Sequence, residues 1–136
     1  MLFVFDENFS KRMAAGLDLL EKSNPGSTIP VDVIAAEILM GRRGAHDWEI
    51  INAMGKDGVF ITKDKDVKYW KLLRKVIEDN DARVLFFMHS KKLIYFWDIL
   101  TAVINRWDEM KEVLSRVTPP YIYEFNLRTG IKECHF

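Results

Sequence analysis

Two aspartates, Asp64 and Asp66, stand two residues apart in the segment GVFITKDKDV at 58–67. Val59, Phe60 and Ile61 before them favour burial in a sheet, so both carboxylates leave that sheet together at the carboxyl end of a strand. The N-terminal apolar run LFVF ends in the same way, at Asp6, Glu7 and Asn8, and a further acid, Asp47, opens the segment DWEIINAM. Carboxylates brought together repel and raise one another's pKa, and a divalent cation removes that penalty. Magnesium and manganese take oxygen ligands of this kind. Zinc does not fit, because His46, His89 and His135 are scattered and Cys134 is the one cysteine. A magnesium or manganese site supports hydrolysis of a phosphodiester. Arg42, Arg43, Lys63, Lys65, Lys68 and Lys71 surround the acids in sequence and suit the flanking phosphates of a nucleic-acid strand.

The elements that must position these groups follow from apolar spacing. Residues 2–5 and 59–62 read as strands buried on both faces, and RVLFFM at 83–88 as another. Val31, Val33 and Ile34 form a second strand in chain order, and residues 35–41 lean to a short helix. KRMAAGLDLLEK after Ser10 is helical, with Met13, Leu17 and Leu20 on its apolar face, and Asn24, Pro25 and Gly26 stop it. The helix opened by Asp47 places Trp48, Ile51 and Met54 together. VKYWKLLRKVIEDN turns Tyr69, Leu72, Leu73, Val76 and Ile77 inward and Lys68, Lys71, Arg74 and Lys75 outward. A longer helix is predicted from an N-cap at Ser90 to about Arg116, with Leu93, Trp97, Leu100, Ile104, Trp107 and Leu114 as a stripe that packs in the core or at an interface. Pro119 and Pro120 end it, and the alternating tail with Thr129-Gly130 predicts two short strands or a hairpin, antiparallel at the sheet edge.

Strands alternating with helices predict a three-layer α/β fold, a mainly parallel sheet flanked by helices. Groups past the carboxyl ends of neighbouring parallel strands share one crevice. Asp6 and Asp64 meet that condition. The helix opened by Asp47 must run back before 59–62 can rise, so Asp47 starts on the same edge. Bland readings stand beside this one. Asp66 suits a helix N-cap, Asp47 complements a helix dipole, and the lysine face is an ordinary solvated face.

Composition narrows the class. With 136 residues, 49% of them hydrophobic and 29% charged, the chain fits one ordered domain over 1–136. Twenty basic residues balance twenty acidic ones, so net charge alone does not point to nucleic acid. The lone cysteine agrees with a reducing compartment. MLFVFDEN lacks the pattern of a signal peptide, and the apolar run 93–104 falls short of the ~20 residues a membrane span needs. The expectation is a soluble cytoplasmic protein that makes no use of a membrane.

The order FDEN, then GAHDWEIINAMGKDGVFITKDKDV, resembles the PIN-like domains, especially toxin nucleases of the VapC type. In that pattern an aspartate follows the first strand and a second opens a helix D-x-x-I-x-x-x-A. A glycine, an apolar strand and T-x-D-x-D follow. Asp6, Asp47, Thr62, Asp64 and Asp66 occupy those places, and residues 68–136 add a compatible order of elements. The pattern's remaining acid, on a helix between the first two aspartates, falls to Glu37, whose spacing to Asp47 is short, or to Glu7. The resemblance implies a magnesium- or manganese-dependent endoribonuclease, the toxin of a toxin–antitoxin pair, with Asp6, Asp47 and Asp64 holding metal and orienting water. Glu37 or Glu7, with Asp66, would complete the set. Thr62 would fix the loop or an aspartate through its hydroxyl, Asn8 would cap or orient the loop, and Lys63, Lys65 and Arg43 would meet substrate. An antitoxin and a second copy of the chain are the partners this reading leaves open. Two alternatives remain: a PIN-like module that binds RNA or protein without cutting, and a metal-dependent phosphohydrolase of small esters.

Overall fold

The structure, a computed structural model, describes residues 1–63, 67–87 and 95–134, with backbone alone for 67–70. A six-stranded sheet runs through it in the order β2-β1-β3-β4-β5-β6. The strands are β1 (Leu2–Phe5), β2 (Asp32–Ala35), β3 (Gly58–Thr62), β4 (Arg83–Phe87), β5 (Tyr121–Asn126) and β6 (Gly130–Glu133). The first five are mutually parallel, and β6 returns antiparallel to β5. The tail is therefore a hairpin, as its Thr129-Gly130 step predicts, yet its first strand joins the parallel set. Gly130, at φ 84°, supplies the left-handed conformation that this turn needs.

Alternation along the strands divides the core in two. Phe3, Phe5, Val59, Ile61, Leu85 and Phe87 face α1 (Lys11–Lys22), α5 (Phe96–Asn105) and α6 (Trp107–Arg116). Val4, Phe60, Val84 and Phe86 face α2 (Ala36–Met40), α3 (Asp47–Met54) and α4 (Val67–Asp79). Three layers result, with a sheet apolar on both faces between two layers of helices. Ser10 caps α1 by accepting from the Met13 amide, and Glu49 of α3 accepts from the His46 amide at 2.8 Å.

Several helix faces differ from those read in the sequence. The predicted helix from Ser90 to Arg116 is two helices among the described residues, broken at Arg106 (φ −109°, ψ 10°). No glycine or proline marks the break. The Arg106 guanidinium binds Glu109 at 2.8 Å and the Leu127 carbonyl at 3.3 Å, so a contact with the distant hairpin holds the joint. The buried faces turn accordingly, to Ile99, Ala102 and Val103 in α5 and to Met110, Lys111 and Leu114 in α6. Trp97 is 72% exposed and Ile104 also faces out, so the predicted stripe does not form one core seam. Leu20 of α1, Trp48 of α3 and Leu72 of α4 are likewise exposed. Leu93, Ser90 and the side chain of Tyr69 lie outside the described residues. Among the described residues no helix is long and apolar enough to cross a membrane.

Candidate active site at the carboxyl edge of β1 and β3

From β1 the chain crosses to β2 on one side, then returns to place β3 on the other side of β1. Connections that leave in opposite directions open a crevice at the carboxyl ends of β1 and β3, the usual ligand position in an open parallel sheet. Asp6 follows β1 there. Thr62 ends β3 beside it, and Lys63 comes next.

Asp6 is 5% exposed and tightly held. The buried Thr62 hydroxyl donates to its Oδ2. The Asn8 amide donates to Oδ1 at 3.0 Å, while the Asn8 side chain and the Lys63 amide reach Oδ2 at 3.4 Å. Burial pushes the Asp6 carboxyl above its ordinary value, and the bonds from Thr62, Asn8 and Lys63 pull it back only in part. The Thr62 hydroxyl thus fixes an aspartate, one of the two roles read for it. The Lys63 ammonium turns back to the Asn8 carbonyl at 3.1 Å and lies 4.6 Å from the Phe9 ring centroid. Burial lowers the Lys63 pKa, and the charge of Asp6 opposes that shift.

The remaining acids approach the same edge along different routes. Glu7 accepts from the Gly44 amide at 2.5 Å, which ties the loop before α3 to the end of β1. Asp47 therefore begins α3 on the carboxyl side, half-buried. Glu37, just past β2, lies 3.7 Å from Lys11 and 4.0 Å from Arg43. Arg42 pairs with Glu49 at 3.0 Å. Glu7, Glu37 and Arg43 thus make contacts within the protein in this conformation, as does the Lys63 ammonium. Asp64, Lys65, Asp66, His89 and His135 lie outside the described residues, as does the Lys68 side chain; Lys71 is exposed.

Asp6 is the most fully buried of the carboxylates described at this edge. Asp6 offers hard oxygen, and its Oδ1 accepts a single hydrogen bond among those described, which leaves lone-pair capacity on that atom. Among the described residues no three His, Cys, Asp or Glu side chains are grouped closely enough to hold a metal. Asp6 fits the group, and Asp64 and Asp66 follow within three residues of Lys63, whose amide reaches Asp6.

A second polar cluster lies elsewhere and was not read from the sequence. Glu21 of α1 and Lys111 of α6, both buried, meet at 2.9 Å. Ser27 donates to Glu21 at 2.7 Å, and the Trp107 indole donates to it at 2.6 Å. Lys111 also reaches Ser27 at 2.9 Å. Burial acts to raise the Glu21 pKa, but the bonds from Ser27, Trp107 and Lys111 outweigh it and leave Glu21 below the usual range. The available signal was spacing: Glu21 stands four residues after Leu17, and Lys111 four after Trp107, each in line with an inward face. No family model matches this chain, and neither does any curated protein or solved structure.

Proposed function

We propose that this chain is a PIN-like endoribonuclease of the VapC toxin type, dependent on magnesium or manganese. The observation that carries the proposal is Asp6: a buried carboxylate at the β1–β3 switch point, gripped by Thr62 from the strand that leads into Asp64 and Asp66. Fixing a charged oxygen in a site of low polarity makes its field strong and its position reproducible. Asp6, Asp47 and Asp64 would hold the cation, with Asp66 and either Glu37 or Glu7 adding charge around it. When bound, the ion supplies positive charge that eases ionisation of an attacking water and offsets the charge of the scissile phosphate. Thr62 and Asn8 keep Asp6 oriented. Lys63, Lys65 and Arg43 would meet the flanking phosphates, Arg43 and Lys63 after exchanging their present partners.

The test is incubation with single-stranded RNA or transfer RNA plus manganese, then with EDTA. Cleavage that EDTA stops and Asp64→Asn abolishes, with an unchanged circular dichroism spectrum, supports the proposal. Metal-independent or Asp64-independent cleavage refutes it. A second reading, a module that binds RNA or protein without cutting, draws on the contacts that engage Glu7 and Glu37. It predicts RNA or protein capture with no cleavage under either metal. For the toxin role, co-expression with the product of a small adjacent reading frame should yield a stable complex that blocks cleavage.

A further inference from the structure

A small pocket adjoins Asp6. Its rim carries Asn8 and Lys63, the two residues whose amides hold the Asp6 carboxylate, and its floor is Phe9, Met13 and Ile99. Phe96, the first residue of α5, forms a wall and is 41% exposed. Resting on the nuclease reading, we propose that this pocket takes one unpaired nucleobase of a single-stranded RNA, stacked on Phe96, beside the phosphate brought to Asp6.

Three properties point to a base. The volume, about 190 Å³, is below the ~300 Å³ at which pockets for drug-sized ligands begin, so it suits one heterocycle without its sugar and phosphate. The lining combines apolar and aromatic side chains with polar ones, among which the Asn8 amide can both donate and accept and Lys63 can donate. The half-exposed Phe96 ring, edge-to-face with Trp97 at 5.2 Å, offers a flat partner an aromatic surface on which to stack. A base inside a duplex is covered on both faces and cannot enter, and recognition of this kind selects unstacked strands. An exposed aromatic side chain at such a place gains from stacking on any base, so the pocket sets strandedness more than sequence.

The test measures binding of a short fluorescein-labelled oligoribonucleotide by anisotropy, in EDTA so that it stays intact. Phe96→Ala should raise Kd about 5- to 150-fold, Phe96→Trp should hold it near the parent value, and the annealed duplex should bind more weakly. Equal binding by Phe96→Ala and the parent would overturn the pocket. So would equal loss in both variants, equal binding of duplex and single strand, or no binding by the parent. Manganese cleavage run in parallel separates the two ideas. Phe96-dependent binding without Asp64-dependent cleavage leaves the pocket and removes the nuclease. Asp64-dependent cleavage with Phe96-independent binding does the reverse.

Discussion

Replacing Thr62 with valine keeps the shape of the side chain and removes the hydroxyl that Asp6 accepts from. Thr62 is fully buried and Asp6 nearly so, hence water does not replace the lost donor easily. A hydrogen bond to a charged group contributes about 1.5–3 kcal/mol, which is the expected loss of stability where Asp6 is ionised. Unfolding entropy near 2.1 cal/mol/K per residue, over 136 residues, converts that into a Tm lower by about 5–10 °C. The pH dependence identifies the cause. Burial raises the folded-state pKa of Asp6, and Thr62 is the strongest influence pulling it down, so Thr62→Val raises it further. The folded state then binds its proton more tightly than the unfolded state, and stability falls as pH rises through the folded pKa. Below the parent's folded value both proteins carry a neutral Asp6 and the difference between them should be small. It should grow through the interval between the two folded values and then level off. Chemical denaturation at closely spaced pH values, with Asp6→Asn as background, measures this. A pH-independent loss, or the same loss in the Asp6→Asn background, would refute the claim that Thr62 acts by holding an ionised Asp6.

Lys111→Met strands the buried Glu21 carboxylate, and the expected loss at neutral pH is about 3–5 kcal/mol by urea denaturation. Glu21 is held below its ordinary pKa, so the stability it contributes is present above the unfolded value and lost as pH falls through the folded one. Adding Glu21→Gln should recover part of the Lys111→Met loss, and strict additivity would mean the pair is not coupled. At Gly58 a Cβ would meet Met54 Cγ at 2.6 Å and Met54 Cβ at 2.8 Å, so Gly58→Ala should cost about 1–3 kcal/mol through overpacking. The double variant with Met54→Ala should be more stable than the sum of the two losses predicts, read from the same denaturation curves. Glu37→Gln should leave manganese-dependent cleavage within a few-fold if its ion pairs with Lys11 and Arg43 define its role, whereas a loss like that of Asp64→Asn would place Glu37 at the metal.

Short runs determined much of this molecule by themselves. LFVF, VFIT and RVLFF carry apolar groups on both faces, which only a covered sheet can bury, and helical spacing between them dictates the α/β layering. The return of α3 between β2 and β3 follows from the same order, and it brings the Asp47 end of that helix to the edge where Asp6 emerges. Local pattern could not choose among apolar residues that compete for one inward face. Leu20, Leu72, Trp97 and Ile104 are as apolar as their buried neighbours, and only the packing angle of each helix leaves them outside. Nor could local pattern show the break at Arg106, where the guanidinium meets a carbonyl 21 residues away. The burial of Asp6 and its bond from Thr62 are tertiary in the same sense: 56 residues separate the two, and the register of β1 against β3 alone brings them together.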